Sequence, residues 1–234
     1  MGDDAPAIWV VDLCSLAEAD AGRCECVLGP AELEQMRRFR FDPDRESYRA
    51  AHALARMALS SVEPEIQPRD WVFEYDARGR PEIAHRADLP RLRFNLSHTR
   101  GMAACIVTHG IDCGVDVESV ERCRGLNHLA RTVLAPAELP ALTGAPEAEQ
   151  ALLFSRFWTL KEAYSKGLGL GLSLPFERIV FELHEQGARL LNGSGDWSFE
   201  QWPPAPGYMV AVALRGVSPG PLVRHLGLPH PVSY

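Results

Sequence analysis

A partial internal echo constrains this chain more than any other feature. Val72-Phe73-Glu74 followed by Gly79 recurs as Val180-Phe181-Glu182 followed by Gly187, at one constant offset. A helical stretch precedes each copy, and each is followed by a glycine, Gly101 or Gly207, that leads into a further apolar strand. A fixed long period is the mark of a repeated supersecondary unit. Matches as few as these can also arise by chance. Read as a duplication, they predict an α+β fold of two similar lobes packed as a pseudo-twofold monomer, with the crevice between the lobes as the natural ligand site.

Hydrophobic spacing fills in the lobes. Strands are expected at 8–13, 71–75, 103–108, 111–118, 179–183 and 208–214, and helices at 30–41, 45–60, 127–134 and 150–167. Tyr48, Ala51, Leu54, Ala55, Ala58 and Leu59 give the 45–60 helix its apolar stripe. Pro136, Pro140 and Pro146 mark 135–148 as a surface loop, and Pro203-Pro204-Ala205-Pro206 as a second one. The expected domains are an α+β lobe over 1–110, a second over 111–218, and an extended tail over 219–234.

The balance of 24 basic against 31 acidic residues, a formal charge of −7, argues against nucleic acid as a partner, because nucleic-acid binding needs a net basic face. The acidic start, Met1-Gly2-Asp3-Asp4, lacks the cationic opening and apolar run of a secretory signal, and no apolar stretch is long enough to span a membrane. The six cysteines include no C-x-x-C pair, which points to reduced thiols rather than zinc ligands. The expectation is a cytoplasmic protein that binds no membrane.

Three clusters carry chemistry. In Gly114-Val115-Asp116-Val117-Glu118, strand alternation puts Asp116 and Glu118 on one face. An amphipathic strand with one wet face is the simplest account. Carboxylates this close repel one another unless water or a cation screens them, and paired carboxylate oxygens suit Mg²⁺, which takes further ligands from water and substrate phosphate. In Trp158-Thr159-Leu160-Lys161-Glu162-Ala163-Tyr164-Ser165-Lys166, helical spacing aligns Trp158, Glu162 and Lys166, with Lys161 close beside them. That is either an ordinary Glu–Lys surface pair or a third metal-binding carboxylate flanked by two phosphate-neutralising lysines. Gly167, Gly169 and Gly171 then read as a helix stop and turn. In Phe94-Asn95-Leu96-Ser97-His98-Thr99, the three polar side chains at the end can donate to an anion or satisfy one another in a turn. A Ser97–His98 hydrolase dyad does not fit, because neighbours on a strand face opposite ways.

At these places together the chain resembles the surfactin-synthetase-type phosphopantetheinyl transferases. The matching stretches are Phe94 to His98, Gly114 to Glu118, and Phe157 to Ala163 with Lys166. Weaker echoes are Met36-Arg37-Arg38-Phe39, the helix beginning at Arg45, Asp76-Ala77-Arg78-Gly79-Arg80-Pro81, and Leu172-Ser173-Leu174-Pro175. The resemblance implies a two-lobe α+β monomer with coenzyme A in the inter-lobe cleft. It implies Mg²⁺ on Asp116, Glu118 and Glu162, and catalytic roles for Glu162, Lys166 and Asp116. The implied coenzyme A contacts are Ser97, His98, Lys161, Lys166 and the turn Arg78, Gly79, Arg80 and Pro81. Arg80 stands where the family often has lysine, which keeps the charge and changes the hydrogen-bond geometry. Glu32 and Gln35 occupy places where lysines are expected, so Arg45 or Arg49 is left to meet the 3′-phosphate. The implied reaction moves the 4′-phosphopantetheine arm onto a serine of an apo acyl-carrier or peptidyl-carrier protein and releases 3′,5′-ADP. The carrier would serve fatty-acid, polyketide or nonribosomal peptide synthesis. Two other readings remain open on the residues: a different Mg²⁺-dependent enzyme acting on phosphate esters, and a non-catalytic coenzyme A-binding module.

Overall fold

The structure is a computed structural model that describes residues 5–76, 78–84, 91–185, 187–193, 195–216 and 222–229. Two compact units emerge, residues 1–111 with 220–234, and residues 112–219. Of the tail expected over 219–234, residues 219–221 and 230–234 lie outside the described residues, as does Ala77 of the Asp76–Pro81 turn.

Unit one is built on a four-stranded sheet. Strands β1 (Ala7–Asp12), β4 (Leu92–Thr99) and β5 (Met102–His109) are antiparallel with β5 central, and β11 (Val223–Leu226) adds in parallel to β1. The segment expected as an extended tail therefore contributes a sheet strand. Helix α3 (Asp42–Val62) lays the stripe Ala51, Leu54, Ala55, Ala58 and Leu59 on Trp9, Phe94, Ala103 and Cys105, all buried. Asp42 and Asp44 in its first turn complement the positive end of the helix dipole. A short hairpin of β2 (Phe73–Tyr75) and β3 (Pro81–Ile83) follows α3. Helices α1 (Glu18–Val27) and α2 (Pro30–Arg37) complete the unit. The periodicity did not predict α1. Its only buried residue is Cys24, so it has almost no apolar stripe to read.

Unit two holds a five-stranded antiparallel sheet in the order β6 (Cys113–Ser119), β10 (Tyr208–Arg215), β9 (Trp197–Trp202), β8 (Gly187–Leu190) and β7 (Phe181–His184). The 22-residue helix α7 (Glu147–Leu168) packs on it through Phe154, Phe157, Leu160, Ala163 and Tyr164. It stops at Gly169, which caps it in the left-handed conformation at φ 70°. Before it come α4 (Val120–Leu126), α5 (Ala130–Val133) and α6 (Leu139–Gly144). The segment 135–148, expected as a surface loop, instead carries α6 and the buried Glu138. Pro140 lies in the first turn of α6 and Pro146 stands at the start of α7, where a missing N–H leaves no helical bond unmade.

The echo in the sequence corresponds to a repeated topology. Each unit runs strand, long helix, short hairpin, then two antiparallel strands, and the last strand pairs with the first: β5 with β1, and β10 with β6. Gly101 and Gly207, which precede those last strands, have φ of 85° and 83°, a region that favours glycine.

Candidate active site

The site is assembled in unit two, where β6 meets α7. Both faces of β6 are buried, which overturns the simple expectation of one wet face. Asp116 is 4% exposed and Glu118 8%. Carboxylates on a strand this deep require compensation nearby. Lys166 of α7 supplies part of it, with Nζ 2.7 Å from Asp116 Oδ1 and donating to the Val115 carbonyl at 3.2 Å. Arg122 Nη1 stands 3.6 Å from Glu118 Oε2.

Glycine is what lets the two elements come so close. A Cβ on Gly114 would lie 1.9 Å from the carbonyl oxygen of Ala163 and 2.5 Å from the amide nitrogen of Gly167. Main chain of the strand therefore touches main chain of the helix, and a side chain on Gly167 would collide with the Trp197 ring at 2.7 Å. A glycine at the head of a strand pattern can signal such an approach, and Gly114 carried that signal in the sequence.

Glu162 lies one residue before that contact, half-buried. Burial, then the charge of Asp116, and more weakly that of Glu118, push its carboxyl up to about 7, against a lowering pull from Lys166. The same surroundings push the buried Cys123 thiol up to about 12, through burial first and then Glu118 and Asp116. Asp116, Glu118, Glu162 and Lys166 thus form one electrostatic cluster. Burial and the like charges outweigh the opposing pull of Lys166 on Glu162.

Lys161 is a second correction. Its side chain has no exposed surface, and its three N–H donors are taken by the Phe176 carbonyl at 2.8 Å, the Ile179 carbonyl at 2.6 Å and Glu138 Oε2 at 2.6 Å. No donor is left for a phosphate. Burial draws this ammonium below the usual lysine range, and the partly offsetting influence is Glu138. Glu138 is equally committed: Oε2 also accepts from the Ala135 amide and Oε1 from the Phe181 amide, each at 2.7 Å. Sequence reasoning missed Glu138, because an acid flanked by prolines reads as solvated loop.

The remaining expected contacts belong to unit one. Ser97 and Thr99 are buried on β4, opposite Ala104 and Met102 of β5, and the intervening His98 is half-buried. The polar knot is thus part of a regular strand. In the β2–β3 turn, Asp76 Oδ1 accepts the amides of Arg78 at 2.8 Å and Arg80 at 2.9 Å, while Gly79 takes φ 80°. Those amides, Arg80 first, hold the exposed Asp76 carboxyl below its usual range. Arg78 is exposed, and Arg80 reaches Glu82 at 3.1 Å. Arg45 pairs with Asp42 at 2.5 Å and donates to the Phe39 carbonyl. Arg49 lines a cavity of about 180 Å³ with Leu13, Ala21, Cys24 and Glu46.

Glu32 has a structural role that the sequence did not disclose. It is 2% exposed, and it accepts Arg56 Nε at 2.7 Å and the Gly29 amide at 2.8 Å, with His52 Nδ1 at 3.0 Å. Burial alone would raise its pKa, but the His52 hydrogen bond, the Arg56 charge and the Gly29 amide together hold it below the usual range. Arg56 in turn donates to the Pro68 and Trp71 carbonyls and ties α3 to the following loop.

Comparison with known proteins gives the cluster its setting. The model of the 4′-phosphopantetheinyl transferase superfamily matches residues 112–213, which contain the whole β6–α7 cluster. The 4′-phosphopantetheinyl transferase HetI of Nostoc sp. is 29% identical over 222 residues, covering 95% of this chain and 92% of that one. A phosphopantetheinyl transferase of Thraustochytrium sp. is 30% identical over 207 residues, covering 82% of this chain and 71% of that one. The chain belongs to the 4′-phosphopantetheinyl transferase superfamily. A further superfamily relative, the transferase Sfp of Bacillus subtilis, is 26% identical over 200 residues, covering 84% of this chain and 86% of that one. As a phosphopantetheinyl transferase, the chain carries its acidic cluster within the matched region, on the strand and helix that Gly114 brings together.

The cluster's fit to a divalent cation can be judged from its donors. Among the described residues, no three acidic, histidine or cysteine side chains are gathered closely enough to form a complete metal cage. Mg²⁺ does not require one, since it is usually held by one or two carboxylates together with waters and substrate phosphates. Asp116, Glu118 and Glu162 present hard oxygen donors, and their mutual repulsion is what a divalent charge relieves. The donor set fits.

Among the described residues, no helix is long and apolar enough to cross a membrane. Among the described residues, which include all six cysteines, there is no disulfide, and Cys14 and Cys26 are exposed.

Proposed function

We propose that this transferase moves the 4′-phosphopantetheine arm of coenzyme A onto a serine of an apo acyl-carrier or peptidyl-carrier protein, using the β6–α7 cluster as its Mg²⁺-assisted catalytic centre. The observation that carries the reading is the convergence of Glu162, half-buried on α7, with Asp116 and Glu118 of β6 beside Lys166. In this reading Glu162 takes the proton of the carrier serine as its oxygen attacks the phosphorus that bears the pantetheine arm. The bond from that phosphorus to the departing oxygen breaks, and 3′,5′-ADP leaves. Asp116, Glu118 and Glu162 would hold Mg²⁺, which when bound offsets charge on the diphosphate. Lys166 neutralises a phosphate oxygen, and its present bond to Asp116 keeps the ammonium oriented until substrate arrives. Phosphoryl transfer needs this sort of positioning and neutralisation more than covalent chemistry from the protein.

Ser97, His98, Arg45 or Arg49, and the turn Arg78–Pro81 are the proposed coenzyme A contacts in unit one. The intracellular pool of coenzyme A and carrier proteins makes the cytoplasm the proposed location. Intact-mass analysis of several apo carrier proteins tests the function. Incubation with coenzyme A and Mg²⁺ should add one phosphopantetheinyl group, and the same variant lacking its carrier serine should stay unchanged. Unmodified carriers throughout would reject the proposal.

A further inference from the structure

Lys161 sits where the family resemblance implies a coenzyme A contact, yet the structure turns it inward. Its ammonium is saturated by Glu138 and two main-chain carbonyls, of Phe176 and Ile179. Glu138 is itself fastened to the amides of Ala135 and Phe181. The pair therefore ties α7 to the chain before α6, to the 3₁₀ turn Phe176–Arg178, and to β7.

The consequence falls on the next residue. Successive side chains on a helix point about 100° apart, so fixing residue 161 fixes the direction of residue 162. On the other side of Glu162, the carbonyl of Ala163 is in main-chain contact with Gly114. Three polar bonds on the preceding side chain set the rotation of the helix, and one backbone contact on the following residue sets its height against β6.

We infer that the buried Glu138–Lys161 pair is a positioning device that aims Glu162 at the reacting centre, and that Lys161 does not bind coenzyme A. The inference rests on the catalytic role proposed for Glu162. It concerns neither the identity of the substrates nor the metal.

The test compares Glu138→Asp, Glu138→Gln, Lys161→Met and the double variant Glu138→Gln/Lys161→Met. Thermal melting is measured on each, and steady-state transfer is measured well below every Tm. Glu138→Asp keeps the charge and shortens the reach by one methylene, so it serves even if Lys161→Met fails to fold. The expected result is a kcat lowered about 10–100-fold in the single variants, the scale of a reacting group displaced by roughly 1 Å. KM for coenzyme A should stay within about two-fold. The double variant, which removes the uncompensated buried charge, should recover part of both Tm and kcat. Two results overturn the inference. A rise in KM for coenzyme A of about 10-fold or more in Lys161→Met, with Glu138→Asp unaffected, would make the lysine a ligand. A lowered Tm with wild-type kcat throughout would make the pair structural only. Inactive wild-type enzyme would instead count against the proposed function.

Discussion

Gly114→Ala adds one methyl group at the point where β6 and α7 touch. The new carbon would stand 1.9 Å from the Ala163 oxygen and 2.5 Å from the Gly167 nitrogen. Ordinary C···O contacts lie near 3.3 Å, so the strand and helix must separate by roughly 1.4 Å. Both obstacles are main chain, and Ala163 lies within the helix, so no side-chain rotation relieves the clash. Overpacking typically costs about 1–3 kcal/mol. With backbone on both sides the upper end, about 3 kcal/mol, applies. At roughly 2–4 °C per kcal/mol for a chain of this size, Tm should fall by about 6–12 °C. The displacement also moves Asp116 and Glu118 relative to Glu162, and a misplacement near 1 Å lowers a rate by about 10²-fold. Differential scanning calorimetry and single-turnover transfer to an apo carrier measure the two effects. Gly144→Ala is the control, because nothing lies within 4 Å of its added Cβ and it needs no positive φ. If Gly114→Ala matches that control in both Tm and rate, the close main-chain approach is not what builds the site.

Three further outcomes are expected. Glu162 has its native pKa raised to about 7 from the usual 4.5, so its contribution to stability is fully present below pH 4.5 and is lost as pH rises through 7. Urea unfolding in excess chelator should therefore show stability declining from pH 5 to 8, and Glu162→Gln should flatten that decline; an unchanged profile would refute the assigned burial and coupling. Arg56→Met leaves the Glu32 carboxylate buried with only His52 and one amide, and should cost about 3–5 kcal/mol in equilibrium unfolding. A loss below about 1 kcal/mol would show that Glu32 is not held by the pair. In the proposed reaction Lys166→Ala removes a charge that meets phosphate in ground and transition states alike, so KM for coenzyme A should rise more than kcat falls; an unchanged KM would confine Lys166 to its bond with Asp116.

Much of this molecule is written in local pattern. The stripe on α3 and the alternation in Gly114-Val115-Asp116-Val117-Glu118 locate a helix and a strand, because periods of 3.6 and 2 follow directly from backbone geometry. The recurrence of Val-Phe-Glu before a glycine marked a repeated topology, and Lys166, Glu162 and Asp116 could be picked out as groups able to meet phosphate and metal. What period alone leaves open is which neighbour a polar side chain meets. Lys161 and Lys166 are alike on paper and sit on the same helix. One is sealed in the core by Glu138 and two carbonyls, and the other is bonded to Asp116 on β6. Glu138 fell in a segment expected as a surface loop and Glu32 stood where a lysine was expected, and each proved to be a buried anchor for residues distant along the chain. The pKa of Glu162 likewise depends on carboxylates from another element and on the burial they share. Charge, hydrogen-bond capacity and secondary-structure period belong to the residues themselves. The compensation of a buried charge belongs to whichever segments the tertiary fold brings within 3 Å, and that distance exists only once the chain has packed.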